Sequence, residues 1–88
     1  MKKWRWYVYI IECQDGTYYT GCTWNPANRL EQHFSGLGSK YTDRHGVKKL
    51  VYYEEHESLE TARTREKQIK DWSQIKKQKL IRGEWGLR

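Results

Sequence analysis

Residues 7–13 (Tyr-Val-Tyr-Ile-Ile-Glu-Cys) are apolar on both alternating faces and rich in aromatic and β-branched side chains. That pattern predicts a central strand covered on both sides. Gln14-Asp15-Gly16-Thr17 follows, and Asp-Gly supplies the positive φ of a tight hairpin. The returning strand is predicted over residues 17–22, where Gly21 marks a bulge or a close approach of another backbone or a ligand. Asn25-Pro26 is a helix start, with asparagine as cap and proline in the first helical position. Ala27, Leu30 and Phe34 form the expected core stripe of this helix, and Ser35-Gly36 ends it.

Residues 36–46 are punctuated by glycine and basic side chains, which predicts a mobile loop. Lys49 to Glu54 reads as a third strand. Ser58 caps a helix running to about Lys70, with a core stripe of Leu59, Ala62, Glu66 and Ile69. Asp71-Trp72-Ser73 breaks it, and Ser73 caps a last, lysine-rich helix over residues 74–81. Trp72, Ile75 and Leu80 are expected to pack that helix on the body. Residues 4–81 are expected to form one domain, with 82–88, including Trp85, as a tail.

Composition sharpens this. Hydrophobic residues are only 36% of the 88, but 15% are aromatic, so a thin core carried by large rings is expected. A net charge of +6 fits an anionic partner, either nucleic acid or an acidic membrane surface. Cys13 and Cys22 are too few for a disulfide framework and lack zinc-ligand spacing, which leaves them as small half-buried hydrophobes. No signal peptide or apolar span is legible, so a reducing cytoplasm is the default expectation.

Three features carry candidate chemistry. Arg29 and His33, spaced i and i+4, share one helical stripe behind the strand tyrosines Tyr9 and Tyr19. Glu66 falls in the middle of an apolar face, where an ionised carboxylate needs a compensating cation. It is either a salt bridge to Arg29, Arg63 or Arg65, or a metal ligand at the edge of a cleft. The glycine-rich segment is either a plain connector or a phosphate clamp with Lys40 as its cation and Tyr41 free to stack. Lys67, Lys76 and Lys77 complete the expected nucleic-acid contacts, the last two being simply solvated in the plainer reading. Cutting a phosphodiester needs a base, positive groups for the developing charge and help for the leaving oxygen. A tyrosine base would need neighbouring cations, since its free pKa is about 10.

In order and spacing, these residues resemble the GIY-YIG nuclease superfamily, most closely its small single-domain bacterial members. Tyr7-Val8-Tyr9 and Tyr19-Thr20-Gly21 stand at the two halves of the motif. Arg29, His33 and Glu66 follow in register, and Ser35 to Thr42 and Trp72-Ser73 also match. Cys22 stands where several relatives carry a lysine, a charge that Lys40 could replace. The resemblance implies an α+β fold, a central three-stranded antiparallel sheet flanked by helices in the order β-β-α-β-α-α. It implies an endonuclease working with one Mg²⁺ or Mn²⁺ held by Glu66. Tyr9 would be the general base, Tyr19 and Arg29 would orient and stabilise the phosphate, and His33 would assist. DNA is the expected partner, with RNA kept open, and the expected role is repair or processing of branched or damaged DNA. A protein partner for targeting fits this reading and a membrane does not. The alternative is a nucleic-acid-binding module of the same fold that cuts weakly or not at all.

Overall fold

The computed structural model describes residues 5–83; residues 1–4 and 84–88, including Trp85, lie outside it. Its elements are β1 (Trp6–Cys13), β2 (Tyr18–Thr23), α1 (Pro26–Phe34), α2 (Lys40–His45), β3 (Val47–His56), α3 (Leu59–Lys70) and α4 (Gln74–Ile81). The three strands form one antiparallel sheet in the order β2-β1-β3, flanked by helices as expected. One short helix, α2, is added where a loop was predicted. Among the described residues no helix is long and apolar enough to cross a membrane.

Local chemistry sets the boundaries. The β1–β2 turn closes through Gly16 at φ 85, with Asp15 accepting from the Thr17 backbone and hydroxyl. Asn25, Ser39, Ser58 and Ser73 cap the four helices, each accepting from the backbone N–H three residues on. β1, the central strand, is apolar on both faces and serves two small cores. On one face Val8 and Ile10 pack with Ala62 and Ile69 of α3, and with Trp72, Leu80 and Ile81 at their rim. On the other, Tyr9, Ile11 and Cys13 pack with Tyr19, Leu30, Val47 and Leu50.

Two expected core stripes are corrected. In α1 the buried positions are Leu30, in part, and His33, whereas Phe34 is 58% exposed and Ala27 also faces solvent. The helix turns this way because both ring nitrogens of His33 find partners inside, so burying the imidazole leaves nothing unsatisfied. In α4 it is Leu80 and Ile81 that reach the core, and Ile75 is 66% exposed. The cysteines are free, Cys13 buried and Cys22 half-buried, and burial pushes both thiols up.

On the α3 side, one carboxylate ties β3 to the helix. Glu54 accepts from Tyr52 Oη (2.6 Å), His56 Nε2 (2.7 Å) and Arg65 Nε (2.9 Å). Burial alone would raise its carboxyl, but the bonds from Tyr52, Arg65 and His56 outweigh that and hold it below the ordinary range. Thr20, on the same sheet face, is less well served. Its Oγ1 is buried with no hydrogen-bond partner among the described residues. A stranded buried hydroxyl costs about 1–3 kcal/mol. Thr20→Val keeps the shape and removes the polar atom, so it should stabilise the fold by about 1 kcal/mol. Urea unfolding checks this through a raised midpoint at unchanged slope.

Candidate active site

β2 is an edge strand, and Gly21 is the residue that opens it. Gly21 pairs with Tyr9 across the β1–β2 ladder, and the tip of the Tyr9 ring lies over it. A Cβ there would stand 2.3 Å from the Tyr9 hydroxyl oxygen. The glycine therefore marks close approach of a side chain, with no bulge in that ladder. Gly21→Ala should cost about 1–3 kcal/mol by overpacking, with Tyr9 pushed aside. Wild-type stability for that variant in urea titration would show that the ring tip is not held.

From this position Tyr9 Oη meets His33 Nε2 at 2.9 Å. His33 Nδ1 meets Thr42 Oγ1 at 2.7 Å, and Thr42 Oγ1 meets Ser39 Oγ at 2.9 Å. Tyr19 packs beside the pair, its ring centroid 6.3 Å from that of Tyr9 and 5.2 Å from that of His33. Tyr41 lies 5.8 Å beyond Tyr19 and stacks on His45 at 4.1 Å. His45 in turn donates to Asp15, and that bond, followed by those from Thr17, holds the Asp15 carboxyl at about 2. The segment expected to be a mobile loop is thus a capped helix, docked at both ends and carrying Thr42 into the cluster.

Electrostatics divides the roles. Burial is the main reason the Tyr9 phenol is raised well above its ordinary value; Tyr19 and Glu66 add to this and Arg29 opposes it. Burial, then Arg29, pushes His33 below the ordinary histidine value, so its imidazole is neutral at pH 7. Tyr9 therefore does not become a free phenolate, but it has a neutral nitrogen in contact to take its proton. Arg29, half-buried on α1, makes no salt bridge among the described residues, although its field reaches both Tyr9 and His33. A half-buried guanidinium without a carboxylate is suited to an arriving anion.

Glu66, on α3, acts on the cluster through its field at Tyr9. Its partner is Lys70, at 3.1 Å, and not any of the arginines considered above; Arg65 is committed to Glu54. The Lys70 ammonium also lies 5.8 Å from the Tyr19 ring centroid, so carboxylate, lysine and tyrosine form one edge. Glu66 opens into a cleft of about 500 Å³ that Cys22, Arg63 and Lys67 also line. Among the described residues no group of three or more histidine, cysteine or acidic side chains gathers to cage a metal. A single carboxylate in an open cleft fits a hard divalent ion that keeps most of its waters and takes substrate oxygens.

The expected nucleic-acid contacts separate. Lys40 and Tyr41 sit at the exposed start of α2, and Lys67 is exposed in the Glu66 cleft. Lys77 is half-buried, its amine pushed down by burial and then by neighbouring Lys70, which places it on the same basic edge. Lys76 is turned onto the Trp72 ring at 4.3 Å, where Arg65 also lies at 5.2 Å, so it belongs to packing as much as to surface. Sequence reasoning missed Thr42 and Lys70. The Ser39-x-x-Thr42 cap and the i,i+4 spacing of Glu66 and Lys70 are the signals that could have found them.

The GIY-YIG catalytic domain family matches residues 5–79. The chain is similar to a UPF0213 protein of Natronomonas pharaonis, 41% identical, with 91% of this chain and 94% of that protein covered. It is also similar to a UPF0213 protein of Clostridium perfringens, 44% identical, with 85% and 81% covered. Among solved structures it is similar to the solution NMR structure of the UPF0213 protein BH0048 from Bacillus halodurans, 40% identical, with 93% and 87% covered and a TM-score of 0.58.

Proposed function

This chain belongs to the GIY-YIG catalytic domain family, and on that premise we propose that it is a divalent-metal-dependent endonuclease that hydrolyses DNA phosphodiesters. The observation that carries the reading is the half-buried Arg29, without a salt bridge among the described residues, beside a Tyr9–His33 hydrogen bond. Arg29 grips the phosphate oxygens with its planar fork. Tyr9 Oη takes a proton from the attacking water as its own proton moves to His33 Nε2, so no free phenolate is needed. Tyr19 borders the phosphate and orients it, and Lys40, Tyr41, Lys67 and Lys77 track the strand. Glu66 would hold Mg²⁺ or Mn²⁺, which when bound supplies Lewis-acid stabilisation of charge on a phosphate oxygen. The substrate class in this proposal is branched or damaged DNA, and the role is repair or processing.

The second reading, a nucleic-acid-binding module that cuts weakly or not at all, draws on the strongly raised Tyr9 phenol and the occupation of Glu66 by Lys70. Purified protein with Mg²⁺ or Mn²⁺ on flapped, branched and linear DNA, with an RNA arm, separates the two. Metal-dependent nicking of a DNA arm is the expected result. Binding without nicking in every arm would leave the module reading.

A further inference from the structure

We propose that Thr42 is a positioning residue that fixes His33 as the Nδ1–H tautomer, leaving Nε2 free to accept from Tyr9. The inference rests on the proton path proposed above, but it concerns a property of the free protein that is measurable without substrate or metal.

Three features of the cluster converge. Thr42 is 1% exposed, His33 2% and Tyr9 4%, so bulk water has little access to the polar atoms between them. With Ser39 these residues form a continuous row, Tyr9 Oη to His33 Nε2, His33 Nδ1 to Thr42 Oγ1, and Thr42 Oγ1 to Ser39 Oγ. The ring is also held sterically: a Cβ on Gly38 would stand 2.3 Å from His33 Nδ1 and 2.6 Å from Cγ. Backbone therefore presses on the imidazole where a side chain would displace it.

The row can in principle run in either direction, and counting protons chooses between them. Run from Tyr9, the phenol donates to Nε2 and Nδ1–H donates to Thr42 Oγ1. The Thr42 hydroxyl then donates to Ser39 Oγ at 2.9 Å or to the Ser39 carbonyl at 3.4 Å. Every buried proton has an acceptor. Run the other way, Nε2–H donates to Tyr9, and the phenol proton of a buried tyrosine has no acceptor among the described residues. Burial penalises such a proton. The forward direction wins, and it makes Nε2 an acceptor.

Thr42 is placed for this by α2 itself. Ser39 caps the helix by accepting from the Thr42 backbone N–H at 3.1 Å, and the same Ser39 Oγ lies 2.9 Å from the Thr42 hydroxyl, within reach to accept from it. The cap that starts the helix thus also sets the direction of the hydroxyl. A short helix between two glycine-rich ends is a device for aiming one side chain. Among the described residues no other group hydrogen-bonds to His33 Nδ1.

The test is ¹⁵N NMR of the His33 side chain in wild type, Thr42→Ser, Thr42→Val and Ser39→Ala, at a pH where the ring is neutral. Wild type and Thr42→Ser should show Nδ1 protonated and Nε2 unprotonated. Thr42→Val, which keeps the shape but cannot accept, should lose that preference, and Ser39→Ala should weaken it. Cleavage by Thr42→Val should fall by about 10²-fold with DNA affinity unchanged, short of the ~10⁴-fold seen where a catalytic histidine is held wholly in the wrong tautomer. Thr42→Ser should restore the rate to within a few-fold. An Nε2–H wild type overturns the proposal, as does a Thr42→Val spectrum like wild type, or a Thr42→Ser spectrum like Thr42→Val. Should Thr42→Val fail to fold, an unchanged spectrum in Ser39→Ala overturns it instead. A wild type that is Nδ1–H yet never cuts DNA supports the tautomer assignment and sinks the nuclease reading.

Discussion

Glu66→Gln should remove metal-stimulated cleavage while leaving DNA binding within a few-fold of wild type. Glutamine keeps the shape of the side chain but gives up the anionic oxygens that a hard cation needs. A divalent ion contributes several kcal/mol to stabilising phosphoryl transition-state charge. At 1.36 kcal/mol per factor of ten, the rate at saturating Mg²⁺ should fall by about 10³-fold. Binding should hold because the lost charge is negative and its partner Lys70 becomes free to meet phosphate. The salt dependence of DNA affinity should then stay as steep or become slightly steeper. The fold should also hold, since the Glu66–Lys70 pair is an i,i+4 contact with Lys70 about half exposed, worth little in water. Single-turnover cleavage across a Mg²⁺ titration, beside filter binding at several salt concentrations, measures all three. A Gln variant that cuts within ten-fold of wild type removes Glu66 from the metal role.

Tyr9→Phe should abolish cleavage to a similar depth, by about 10²–10⁴-fold, the usual contribution of a positioned proton-transfer group. The variant keeps the ring that packs with Ile11 and Cys13 and loses only the hydroxyl that meets His33 Nε2. Its structural cost is one buried nitrogen without a partner, about 1–3 kcal/mol. The two proton acceptors also predict a pH signature. His33 works only when neutral, and burial, then Arg29, lowers its pKa from 6.5. The wild-type rate should therefore hold as pH falls through the ordinary histidine range and decline only below it. Stability behaves differently, because the unfolded histidine takes a proton at 6.5 that the folded one refuses. The fold gains this contribution fully above 6.5 and loses it as pH falls from there to the lowered folded value. A rate that declines together with stability, starting at the ordinary value, would contradict a buried neutral His33.

The strands and caps were legible because their signals are local. β1 has its alternation and β-branched residues, the hairpin has Asp15-Gly16, and α1, α3 and α4 have a capping side chain at the first unsatisfied N–H groups. The rotation of α1 was not legible. Periodicity ranks Phe34 as core and sets His33 on a second stripe with Arg29, yet His33 is the buried one because Tyr9 and Thr42, 24 and nine residues away in sequence, satisfy both its nitrogens. No single-helix pattern contains that information. The six-residue α2 was hidden for a related reason: too short for a periodic stripe, it is declared only by Ser39 and Gly46 at its ends. Of the candidate site, Tyr9, Tyr19 and His33 were legible as a set and the structure brings their rings together. Glu66 was suspicious from its stripe, but its pairing with Lys70 depended on which cations other carboxylates had already claimed.

That claim on Arg65 reaches further than stability. Arg65 and Glu66 are neighbours on α3, and successive residues on a helix point about 100° apart. Glu54 on β3 grips Arg65 with the help of Tyr52 and His56, and so acts as a rotational lock on the helix. The compass bearing of the Glu66 carboxylate is thereby inherited from an anchor on a different strand and a different side of the helix. A substitution at Glu54, on the sheet face opposite the Tyr9 side chain, would remove that lock and leave the bearing of the carboxylate to the packing of Ala62 and Ile69 on β1 alone.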